Sequence, residues 1–167
     1  MFGIQEQKQI IFVGIYLLGH NMKGTYLIKK YKDGKLIWQS EPMENLIMKS
    51  SGYGLNLVMR QLAGDTTYGI EITKAKIGDD DTAPTDNDTD LGNVLVDNID
   101  IASQSVSNNI LVLEIFISDD DLPDDDYKEF GLFIGNQLFA RSVISPTYTK
   151  ASGEDTTIEY TITSNNT

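Results

Sequence analysis

Four aspartates, Asp86, Asp88, Asp90 and Asp97, stand at positions 1, 3, 5 and 12 of the stretch Asp-Asn-Asp-Thr-Asp-Leu-Gly-Asn-Val-Leu-Val-Asp. Calcium prefers many hard oxygens, and alternate carboxylates in a curled loop converge on one point, so the spacing has the outline of a calcium loop. Three features oppose that chemistry. Leu91 occupies the sixth position, where the sharp turn needs glycine; Asp97 occupies the twelfth, where a bidentate glutamate belongs; and no flanking helices are evident. The favoured reading is a solvated turn whose aspartates cap backbone amides, and no metal ligand is assigned.

The catalytic inventory is equally thin. The chain has no cysteine and one histidine, His20. That excludes thiol nucleophiles, thiolate zinc sites and a two-histidine metal site within one chain, and any serine triad would have to use His20. His20 lies in a turn-like stretch without an obvious partner. Glu114 is a lone acid inside an otherwise apolar run, expected on a partly exposed face or paired with Arg141 or a lysine. The aspartate triads Asp79-Asp80-Asp81, Asp119-Asp120-Asp121 and Asp124-Asp125-Asp126 read as open loops. Glycosidase chemistry needs one carboxyl raised by an apolar pocket, which such strings do not suggest. The expectation is a protein that is not an enzyme, with no catalytic, cofactor-binding or metal residues and no cofactor. Trp38, eight tyrosines and six phenylalanines leave a sugar-binding platform as a minority reading beside packing in sheets.

Around these residues stands a chain of 167 residues, a length for one domain, with a net charge of −12 and an ordinary apolar content of 40%. So negative a surface repels phosphate backbones, so no nucleic-acid partner is expected. The charge is divided unevenly: residues 1–76 hold ten Lys/Arg and six Asp/Glu, whereas residues 77–167 hold three and nineteen. The acidic loops are expected to face solvent or a basic partner.

Ile10 to Leu18 is a nine-residue apolar run, too short for a membrane span of about 20 residues. It has the length of a signal-peptide core, but little positive charge precedes it and no small-residue cleavage pattern follows. Retained, it must be buried either in the domain's own core or against a neighbouring subunit, and its terminal position gives a slight lean to the neighbour. Residues 1–22 therefore read as an apolar N-terminal arm and residues 23–167 as a single β-rich domain.

Within that domain, Asp33-Gly34 between two runs of strand formers predicts a hairpin. Leu55, Val58, Met59 and Leu62 form one helical stripe, predicting a helix near 51–63 with Ser51 as N-cap and Gly64 as its stop. Thereafter short strands dominate. Glu71 to Ile77 is one. Ile101 to Val106 and Ile110 to Ile117 flank Asn108-Asn109; Phe130 to Ile134 and Gln137 to Ile144 flank Gly135-Asn136. Leu111, Leu113, Ile115 and Ile117 share one face, with Val112 and Phe116 on the other, predicting a central strand covered on both sides. Thr156 to Thr163 turns Ile158, Tyr160 and Ile162 inward and predicts a half-buried strand near an edge. The fold class expected is mainly β with one helix, an antiparallel β-sandwich or barrel-like domain preceded by the arm.

Several ordered phrases carry a resemblance. They are the hairpin Tyr31 to Trp38, Glu44-Asn-Leu-Ile-Met48 before a glycine-containing helix, Ile77-Gly78, Thr82-Ala-Pro84 and Asp88-Thr-Asp-Leu-Gly92. Lys128-Glu-Phe-Gly-Leu-Phe133, Gln137-Leu-Phe-Ala-Arg141 and Ile144-Ser-Pro146 close the series. Together, over residues 24–163, they resemble small structural proteins of tailed bacteriophages. The resemblance implies a virion component of the tail apparatus, a fibre, collar or baseplate part, that works by assembling with other virion structural proteins. A homo-oligomer, trimer or ring, is expected with it. The alternatives are a capsid auxiliary protein, either decoration or head fibre, and a receptor- or glycan-binding module.

Overall fold

Asp33 and Gly34 both adopt positive φ, 51° and 71°, the backbone a two-residue hairpin requires. They join β1 (His20–Lys32) to β2 (Lys35–Gln39) in the computed structural model, which describes residues 20–166. Then follow β3 (Met43–Glu44), β4 (Leu46–Ile47), α1 (Leu55–Leu62), β5 (Lys74–Gly78), β6 (Val94–Asp100) and β7 (Ser103–Ser107). The chain ends with β8 (Ile110–Ile117), β9 (Asp126–Ile134), β10 (Gln137–Thr149) and β11 (Glu154–Asn166). The expected turns at Asn108-Asn109 and Gly135-Asn136 are in place, with Asn108 and Gly135 at positive φ.

The strands form two antiparallel sheets, in the orders β2-β1-β11-β8-β7, with β3 also on β1, and β4-β10-β9-β5-β6. Both sides of the sandwich are closed by strands that change sheet. On one side β3 pairs with β1 and β4 with β10, with Asn45 between them. On the other, β6 leads into β7 through a corner where the Ala102 N–H donates to the Glu114 carbonyl at 2.8 Å. One main core fills the space between the sheets. Tyr26, Ile28, Leu113, Ile115, Ile158 and Tyr160 project into it from the first sheet, and Ala75, Ile77, Phe130, Leu132, Phe139 and Tyr148 from the second.

Several sequence expectations are corrected by this arrangement. The helix begins at Leu55, with Gly54 rather than Ser51 as N-cap and no side-chain cap. Its end at Gly64 is as expected: Gly64 N–H bonds the Gln61 carbonyl and Asp65 N–H that of Arg60, a complete Schellman closure. The stripe is rotated. Leu57 is the buried residue, whereas Met59 and Leu62 are 59% and 78% exposed, because the helix lies against the sandwich with a narrower face than the spacing implied. β5 starts at Lys74, not Glu71, and β9 and β10 extend beyond the expected strands. β8 is central but covered on one face only, leaving Phe116 51% exposed. β11 is not near an edge: it pairs with β1 on one side and β8 on the other. Of the arm expected over residues 1–22, His20 to Met22 belong to β1, so His20 is not in a turn. The apolar run itself lies outside the described residues.

Candidate functional site

Arg141 sits on β10 in the apolar sequence Leu-Phe-Ala-Arg-Ser-Val-Ile and is only 4% exposed. A guanidinium keeps its charge, so burial obliges it to find anionic partners. Its Nε donates to Glu129 Oε2 at 2.9 Å, Nη1 to Asp88 Oδ2 at 2.7 Å and Nη2 to Asp80 Oδ2 at 2.8 Å. Glu129, on the neighbouring strand β9, is fully buried. Its carboxylate also accepts the backbone N–H groups of Gly92 and Asn93, at 3.0 and 2.8 Å. The long loop between β5 and β6 is thereby folded over the strand pair and tied at three points.

Threonines complete the arrangement. Thr82 Oγ1 donates to Asp80 at 2.9 Å, and the Thr85 hydroxyl and N–H donate to Asp88 at 2.7 and 3.0 Å. Thr82, then Arg141, holds the Asp80 carboxyl below its ordinary value. Burial opposes ionisation of Asp88, yet bonds from Thr85 and Arg141 still lower it. Glycine is required at the closest approach: a β-carbon at Gly92 would stand 2.0 Å from Asp80 Oδ2, and one at Gly78 2.1 Å from the Asn93 carbonyl oxygen.

The calcium-loop aspartates are thus dispersed. Asp88 binds Arg141, Asp90 makes both carboxylate contacts to buried Lys76 at 2.9 and 3.0 Å, Asp97 lies 3.7 Å from Lys74, and Asp86 lies 3.9 Å from Lys49. Among the described residues no group of three or more acids or histidines is placed to hold a metal ion. A second closure joins the two later triads, which were expected to stay open. Lys150, 3% exposed, bonds Asp119 through its carboxylate and Asp124 at 2.9 Å. Some of the loop acids therefore find basic partners within the chain, whereas Asp81, Asp120, Asp121, Asp125 and Asp126 face solvent, as expected of acidic loops.

Glu114 is exposed, opposite Glu159 on β11, and does not reach Arg141. His20 is paired in the β1–β11 ladder at the level of Asn166. Asn45, from the phrase before the helix, donates to the Tyr160 hydroxyl where the chain changes sheet. Sequence reading missed the roles of Glu129, Arg141, Lys76 and Lys150. For Arg141 the available signal was a lone cation inside an apolar strand, which must be paired.

A second surface is apolar. At the end of the sandwich where β1 begins, Met22, Val58, Ile70, Val106, Ile110, Leu111 and Ile162 line a groove of about 200 Å3. Val106 and Ile70 are 74% and 52% exposed. No helix among the described residues is long and apolar enough to cross a membrane. Compared with protein-family models, with curated proteins and with solved structures, the chain matches none.

Proposed function

We propose that the protein is a virion structural component of a tailed bacteriophage, part of the tail apparatus, acting by subunit assembly and not by catalysis. One observation carries this reading: phrases that supply the resemblance, far apart in sequence, meet at one buried cation. Arg141, which ends the phrase from Gln137, binds Glu129 from the phrase before it, Asp88 from the aspartate-threonine loop 53 positions away, and Asp80, between two phrases and bonded to Thr82. Coincidental local matches have no reason to share a contact.

Assembly is supported by the groove and by the apolar run that precedes it. The nine residues Ile10 to Leu18 lie just upstream of Met22, a groove residue, and burying such a run against a neighbouring copy removes both apolar surfaces from water. The reading is a symmetric homo-oligomer, a trimer or ring, among other virion structural proteins.

Gold-labelled antibody on intact particles tests the location. Label on the tail is expected, whereas label over the shell with a bare tail would overturn the tail reading in favour of a capsid auxiliary protein. Sedimentation of the full chain against a chain lacking residues 1–19 tests assembly. Removing that stretch leaves β1 whole, so a folded monomer is expected, and an unchanged oligomer contradicts the role of the arm.

A further inference from the structure

The β1–β2 ladder shifts register between Lys30 and Tyr31, which face Trp38 and Leu36, so Ile37 is an extra residue on the edge strand. Such a bulge re-aims its side chains, and here Ile37 and Trp38 both line one concavity. The opposite wall is a second irregularity: in β10, four residues from Ile144 to Thr147 stand against Lys128 alone, and Pro146 and Thr147 project beside Tyr148. Trp38 packs against the Tyr148 ring at 5.7 Å yet remains 37% exposed. At the base, Lys30 Nζ lies 3.0 Å from Glu154 Oε2.

We propose that this concavity binds a neutral saccharide, stacking a pyranose ring on Trp38 and holding adjacent hydroxyls with Lys30 and Glu154. Its volume, about 320 Å3, is at the lower end of the range of about 300–1,000 Å3 for small-molecule sites. The charge is balanced, because Lys30 and Glu154 neutralise each other, so neither a phosphate nor a cation finds a surplus partner. The remaining valences are complementary. Lys30 directs its ammonium to Glu154 and to the Thr149 carbonyl and lies 5.1 Å from the Tyr148 and 6.0 Å from the Trp38 ring centroid, so one N–H of three has no oxygen acceptor among the described residues. Glu154 Oε2 also accepts the Ala151 N–H at 2.9 Å, and Oε1 has no hydrogen-bond donor among the described residues. A free donor beside a free acceptor suits two adjacent hydroxyls, each of which both gives and takes a hydrogen bond. The exposed indole offers the apolar surface that a pyranose's C–H face requires.

Trp38 is the only tryptophan in the chain, so its emission reports on this site directly. The full protein is titrated with galactose, glucose, mannose and N-acetylglucosamine and with their oligomers. At least one is expected to change the emission saturably, with a Kd of about 1 mM or tighter. Glu154→Gln, which keeps the shape, is expected to weaken that binding about tenfold, and Trp38→Ala to abolish saturation-transfer NMR contacts with the same sugar. Emission unchanged by every sugar, or a response identical in Glu154→Gln, overturns the proposal. Far-ultraviolet circular dichroism separates loss of binding from loss of fold.

Discussion

Arg141 and Lys150 are two of the three cations in residues 77–167. Both are buried, and each is closed over by aspartates from loops, yet the two closures are built differently. The guanidinium meets Glu129, which is 0% exposed, as well as Asp80 and Asp88. The ammonium of Lys150 meets Asp119 and Asp124, whose side chains are 35% and 53% exposed. One is an interior ion pair with acidic additions from a loop; the other is a cation capped by acids that remain in contact with water. Removing the cation strands a buried charge in the first case and only frees solvated charges in the second.

The largest expected effect follows from that contrast. Arg141→Ala leaves the Glu129 carboxylate buried without its counter-ion, and breaking such a pair costs about 3–5 kcal/mol. Denaturant melts should show it directly. Replacing both partners, Arg141→Met with Glu129→Leu, should recover much of the loss, because an apolar pair of similar size needs no counter-ion. A double variant no more stable than Arg141→Ala would mean that the backbone bonds from Gly92 and Asn93 to Glu129 matter more than the ion pair. Lys150→Met should cost less, about 1 kcal/mol, since Asp119 and Asp124 can turn to water. If the two single variants lose equal stability, the distinction between the closures fails.

The local parts of this architecture were legible in the sequence. Asp33-Gly34, Asn108-Asn109 and Gly135-Asn136 fix turns through their own backbone preferences, and Gly64 stops the helix for the same reason. Alternation in β11 reported correctly that Ile158, Tyr160 and Ile162 point inward. It could not report how many strands flank β11, because lateral pairing leaves the face pattern unchanged. The helix stripe failed differently: Met59 and Leu62 satisfy helical periodicity but project away from the sheets. The closures were hidden for a third reason. Arg141 and Asp80 are 61 positions apart, and a run of aspartates has the same composition whether it hydrates or folds over a cation. The chemistry of Arg141 nevertheless demanded a partner, and the phrases that carried the resemblance contained two of its three acids, Asp88 and Glu129.

The smallest effect discriminates most finely, because the acids are held ionised by different groups. Asp80, Asp88 and Asp119 are all lowered from their ordinary values, so each contributes stability that is present above the unfolded value of about 3.9. That contribution is lost as pH falls through the lower folded value. The wild-type protein should therefore keep its denaturant midpoint from neutrality to about pH 4 and lose it below. For Asp80 the Thr82 hydroxyl is the main cause, and for Asp88 the Thr85 bonds outweigh Arg141 against a contrary effect of burial. For Asp119 the main cause is Lys150 itself, followed by the Gly153 N–H. The ranking of the two closures should accordingly reverse in a carboxyl titration followed by NMR. Lys150→Met, mild in stability, should raise Asp119 distinctly, whereas in Arg141→Met with Glu129→Leu the threonines should keep Asp80 and Asp88 below their ordinary values. Asp80 and Asp88 returning fully to those values would show that the guanidinium, and not the threonine turns, keeps the loop acids charged.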